Sequence, residues 1–179
     1  MHTSNTLKLR TRFRHLASAI TLTAVGALPA HADNPPDNFE MKVVGDAAYG
    51  QLIQNGNSEA AIARLDGITT RKAGAFFKAN NLCVAYTKTG ELSKAEPACE
   101  QALELISADG RIAASEKRMQ RDFRAMALSN LGVLRALGGE YSLARDHFTQ
   151  ALELETRLSA PATNMAYLEL KAAQAVSRR

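Results

Sequence analysis

The sequence predicts an all-α chain, an α-α solenoid of about three helical hairpins closed by a C-terminal capping helix. Three observations carry that expectation. Landmark residues recur at a spacing of 34. A glycine-containing turn divides each recurring unit into two stretches. Ala and Leu, the leading helix formers, are abundant, and Trp is absent among 179 residues.

The period is read most directly from pairs. Gly56 and Gly90, Ala61 and Ala95, Leu65 and Cys99, and Ala48 and Leu82 are each 34 apart. Leu82, Gly90, Ala95, Cys99 and Ala102 recur as Leu131, Gly139, Ala144, Phe148 and Ala151, a step of 49, or one period plus an insertion of 15. Another 34 residues lead from Leu131 to Met165. The turns read Asn55-Gly56-Asn57, Thr89-Gly90-Glu91 and Gly138-Gly139-Glu140. Glycine there supplies the left-handed conformation that ends a helix. Ala61, Ala95 and Ala144 fall where paired helices approach closely. Leu82, Tyr86, Leu103, Leu131, Leu134, Phe148 and Leu152 form an apolar stripe that one hairpin cannot bury alone, so neighbours must stack.

These residues resemble the tetratricopeptide-repeat (TPR) family, here of an exported bacterial type. The second unit carries Asn81-Leu82-Cys83-Val84-Ala85-Tyr86, then Gly90-Glu91, Ala95 and Ala102. The third carries Asn130-Leu131-Gly132, then Gly139-Glu140-Tyr141, Ala144, Phe148 and Ala151, with Arg135 where the family has Tyr. The first is degenerate: Gly56, Ala61 and Leu65 fit, but Ala48-Tyr49 replaces Leu-Gly. The resemblance covers residues 40–178. Residues 161–176 fall in the register of a fourth first helix, with Pro161 at its start and Lys171, Gln174, Arg178 and Arg179 on a polar outer side, as a cap requires. The insertion reads as a turn at 107–110 and then an N-terminal extension of the next helix, which should run from Ile112 to Leu137. Its charges suit a solvated face more than a basic docking ridge.

The resemblance also implies a site. Asn81, Asn130 and Asn164 precede the Leu or Met landmark of successive units, a position that in the family often faces the concave groove. An amide there both donates to and accepts from the backbone of a bound extended peptide. The alternative is that these amides link adjacent helices. Neighbouring groove positions are Phe77, Val84, Thr87, Lys88, Met126, Val133 and Leu137, a mixture suited to an apolar peptide or a partner helix. The cationic set of the family's clamps for acidic chaperone C-termini is missing. The function implied is a protein–protein interaction scaffold of the cell envelope. A self-associating structural module and an accessory subunit of an envelope enzyme are the alternatives.

The compartment is read from residues 1–32, a secretory signal peptide. A basic stretch holds Lys8, Arg10, Arg12 and Arg14, residues 16–28 are apolar, and Ala30-His31-Ala32 offers a small-x-small cleavage site before Asp33. Thirteen helical residues span about 20 Å, short of the roughly 30 Å hydrocarbon core. The mature chain is therefore expected in the periplasm or outside the cell, without stable membrane insertion. Its domain organisation is a signal over 1–32, a disordered lead-in over 33–39, and a helical domain over 40–179. Beyond residue 32 the charges balance, 18 basic against 18 acidic, so no general pull on nucleic acid is expected.

Catalysis has little to work with. Only His147 remains beyond the signal, no nucleophile–base pair or phosphate loop is suggested, and no metal-ligand spacing occurs. No enzyme activity, cofactor or metal is expected. Cys83 and Cys99 flank the Gly90 turn at nearly equal heights. Export would let a disulfide persist. An interaxial distance of about 8–10 Å favours two buried thiols instead.

Overall fold

The computed structural model describes residues 38–70, 72–107, 114–155 and 157–177. All lie within one compact unit, residues 34–179. The signal segment lies outside the described residues.

Seven helices and no strand occur among the described residues: α1 Gly50–Gln54, α2 Ser58–Asp66, α3 Lys72–Lys88, α4 Leu92–Ser107, α5 Ala114–Leu137, α6 Tyr141–Leu154 and α7 Ser159–Ser177. Each helix packs on the next, most extensively α3 on α4 and α5 on α6. The odd-numbered helices also touch in sequence, α1 on α3, α3 on α5 and α5 on α7. The two central helices are therefore enclosed. Residues 79–87 of α3 and 127–134 of α5 are buried on every side, which is why their sequences lack a polar face.

The turns repeat in atomic detail. Gly56, Gly90 and Gly139 have φ of +81°, +79° and +81°. After each, the next N–H reaches back five residues, Asn57 to Leu52 O at 2.8 Å, Glu91 to Tyr86 O at 2.9 Å and Glu140 to Arg135 O at 2.9 Å. This satisfies a carbonyl that the helix end would leave open. Ala61, Ala95 and Ala144 are fully buried.

The contacts that bridge successive pairs also repeat. The Tyr86 hydroxyl of α3 donates to Asp66 of α2 at 3.2 Å. Arg135, at the matching place on α5, donates to Glu100 of α4 at 3.0 Å and pairs with Glu96 at 2.6 Å. Asp66 and Glu100 are themselves one period apart. The substitution of Tyr by Arg thus keeps a donor opposite an acid. Burial works against the Arg135 charge, but Glu96 and Glu140 hold its pKa above the usual value.

Cys83 and Cys99 are bonded, with Cα atoms 4.7 Å apart. The expectation of thiols is corrected here. Each Cα sits about 2.3 Å off its helix axis, so facing residues lie much closer than the axes do.

The N-terminal end differs from a regular first unit. Its first helix, α1, is only five residues long. Before it, residues 38–44 carry no helix, and the chain turns through Ala48 and Tyr49 at φ +45° and +55°. A Cβ on Gly50 would lie 2.0 Å from Val44 O, so only glycine fits there. Left-handed non-glycine residues cost about 1–2 kcal/mol each, so neighbouring contacts must offset this turn. In the middle of the chain, α5 runs unbroken from Ala114 to Leu137; its expected start at Ile112 and the turn residues 108–110 lie outside the described residues. Phe123 anchors its extension at 5.1 Å from the Phe76 ring and 5.4 Å from Phe77, and residues 117–119, 121 and 124 are exposed.

Candidate functional site

Asn81, Asn130 and Asn164 stand on α3, α5 and α7, each with no exposed surface. An uncompensated buried amide costs several kcal/mol on transfer from water, about 4–8 to an apolar solvent. Each therefore needs partners, and each finds them in the main chain of one segment. The Glu40 N–H donates to Asn164 Oδ1 at 2.7 Å, and Asn164 Nδ2 donates to Glu40 O at 2.8 Å. Lys42 and Asn130 exchange the same two bonds, both at 2.8 Å. Val44 and Asn81 do so at 2.9 and 3.1 Å. Every second residue is gripped at both N–H and C=O, because alternate residues of an extended chain turn their polar groups to one side. The segment, here called the strap, crosses α7, α5 and α3 in that order, against the direction in which the helices follow one another.

Side chains of the strap alternate as the backbone does. Phe39 packs edge-on against Tyr167 with ring centres 4.6 Å apart, and lies 6.4 Å from Phe148. Met41 joins the apolar clusters around Leu82 and around Val133, and Val43 the first of these. Glu40 and Lys42 pair with each other at 3.5 Å, each 42% exposed. Val44 packs into the cluster of Phe76, Phe77 and Phe123. Of the lead-in expected over 33–39, residues 33–37 lie outside the described residues, and Phe39 belongs to this packed strap.

The other site residues expected from the sequence divide. Phe77 lies at the Val44 end of the strap. Val84 is fully buried in the cluster that receives Met41 and Val43. Met126 is half-buried on α5. Val133 and Lys88 line a cavity of about 350 Å³ beside the strap, with Phe39, Met41, Leu137, Tyr167 and Lys171. Lys171 lies over the Tyr167 ring at 5.2 Å. Thr87 lines the same cavity, its hydroxyl donating to Cys83 O at 2.7 Å.

Two features were not expected. Asn80 extends the amide row, donating to Lys42 O at 3.2 Å and accepting from Asn130 Nδ2 at 3.0 Å. That last bond joins α3 to α5, so the amides also link helices. Asn81 Nδ2 further holds Ala47 O at 2.9 Å and Ala48 O at 3.1 Å, contacts that help to offset the left-handed turn. The second feature is the strap itself. Its alternation, apolar at 39, 41 and 43 and charged at 40 and 42, is a period-two signal in the sequence.

Among the described residues no group of His, Cys, Asp and Glu could hold a metal ion, and no helix is long and apolar enough to cross a membrane. His147 is half-buried on α6, with Nδ1 buried and unpartnered. Burial, and then the Arg135 charge, lowers its pKa, with Asp146 acting the other way. No family model, curated protein or solved structure matches the chain.

Proposed function

We propose that this chain is an exported, non-catalytic protein-interaction module of the tetratricopeptide-repeat type, which holds an extended polypeptide segment main chain first across its odd-numbered helices. One observation carries the reading: three asparagines, one per repeat, each bond both polar groups of alternate residues in an extended segment. Side chains contribute little to those six bonds, so the amide row selects for extended backbone. The three glycine turns and the bridging contacts at Tyr86 and Arg135 support a repeat origin. The periplasm, or the outside of the cell, is the compartment we assign from residues 1–32.

The test is cross-linked capture of partners from envelope extracts by the wild-type chain and by an Asn81→Ala, Asn130→Ala variant whose helix content is unchanged. Capture should fall in the variant, each lost hydrogen bond costing on the order of 1 kcal/mol. Equal capture by both proteins would remove the amide row from the function.

A further inference from the structure

We infer that the strap is an internal competitor for the amide row, and that its side-chain pattern describes the segment the row accepts from a partner. This rests on the peptide-binding reading above and adds ligand class and regulation to it. The partner segment is extended, with an aromatic residue followed at alternate positions by two apolar ones and then directly by a third.

The amides themselves set only backbone and register. Glu40, Lys42 and Val44 are gripped through N–H and C=O, groups that every residue but proline offers. Selectivity must come from the intervening side chains and from Val44, which packs into the cluster of Phe76, Phe77 and Phe123. Phe39 meets Phe148 and Tyr167. Met41 bridges two apolar clusters, and Val43 enters one of them. Glu40 and Lys42 face outward, so their identities are free. The acceptable pattern is therefore aromatic-x-apolar-x-apolar-apolar, with any non-proline residue at x.

Regulation follows from the tether. The strap joins α1 through only the turn at 45–49, so its effective concentration at the row is that of a short intramolecular link. A partner segment making the same bonds must displace it. Apparent affinity is then reduced by the small fraction of molecules in which the row is open.

The probe is a fluorescently labelled synthetic peptide of residues 38–46, read by anisotropy. It is added to the wild-type full chain and to a full-chain Phe39→Ala, Met41→Ala variant, in which the strap has lost its anchors. The variant should bind the peptide about tenfold or more tightly than wild type. A peptide with Ala in place of Glu40 and Lys42 should bind the variant equally well, and one with Ala in place of Phe39 and Met41 should not. Equal affinity of both proteins for the parent peptide would overturn the competitor while leaving the row a peptide site. No binding to a folded variant would overturn the peptide-binding reading itself. Should the variant fail to fold, a wild-type chain with a protease site inserted after the exposed Asp46 replaces it. Cleavage after folding makes the strap a separate ligand. Labelled peptide should then exchange onto the cleaved chain and not onto the uncut one, and no exchange onto the cleaved chain would overturn the inference.

Discussion

Gly132 and Phe148 show how one residue position is solved differently in successive helical hairpins. The pair is related by the step of 49 to Cys83 and Cys99, and those by 34 to Tyr49 and Leu65. Between α5 and α6 the space beside Gly132 is taken by the Phe148 ring, which is fully buried. A Cβ on Gly132 would lie 2.5 Å from that ring. Gly132→Ala should therefore destabilise by about 1–3 kcal/mol, the cost of overpacking. A urea midpoint lowered at unchanged slope is the expected result, and an unchanged midpoint would mean that the ring withdraws freely. His147, one residue earlier, makes a different prediction. Its pKa is lowered in the fold by burial and by Arg135, so the unfolded chain takes up a proton first as pH falls. Its contribution is fully present above the unfolded value of about 6.5 and is lost as pH drops from there toward the folded one. Urea midpoints at pH 8 and pH 5 should differ more for wild type than for His147→Gln. Equal differences would show that this imidazole titrates as it does in the unfolded chain.

At the scale of elements, the α3–α4 hairpin is closed twice, by the Gly90 turn and by the Cys83–Cys99 bond. The bond links residues 16 apart, a loop whose closure stabilises by about 3 kcal/mol in the chain-entropy model. A Cys83→Ser, Cys99→Ser variant should lose stability of that order, and reductant should lower wild type to match while leaving the variant unchanged. Titration of the denatured, unreduced chain should find no free thiol. Two thiols per chain would show that the cysteines pack as buried hydrophobes. The neighbouring α5–α6 hairpin has no such bond. It relies on Phe148 and on Arg135, which reaches Glu140 across its turn at 3.2 Å and Glu96 on α4. The acids are about half exposed, so this cluster contributes modestly, about 0–1 kcal/mol per pair. Packing therefore decides the stability of that hairpin.

Over the whole molecule, the strap ties together elements that are distant in sequence. Asn164 and Glu40 are 124 residues apart, and Asn130 and Lys42 are 88 apart. Phe39 sits at the α7 end and Val44 at the α3 end, so six residues of chain span three helices, α7, α5 and α3. The enclosed character of α3 and α5 has the same origin, since strap, preceding helix and following helix all cover them.

Much of this was legible in advance. Helix count, turn positions and the close-approach alanines are local properties, set by period, glycine and side-chain size within some 34 residues. The amides at 81, 130 and 164 were legible too, because the period marks them out. Their occupant was not, although Phe39, Glu40, Met41 and Lys42 alternate in plain view. Five residues of alternating pattern are consistent with any half-buried extended segment, and nothing local says what buries them. The disulfide was not expected, for a related reason. Spacing puts Cys83 and Cys99 at one height, but whether their Cβ atoms meet depends on the rotation of two helices about their axes. The sequence alone thus determined the helices, their turns and the residues that recur. Tertiary structure alone decided which backbone fills the amide row, because a hydrogen bond to main chain carries no side-chain signature by which its partner could be read.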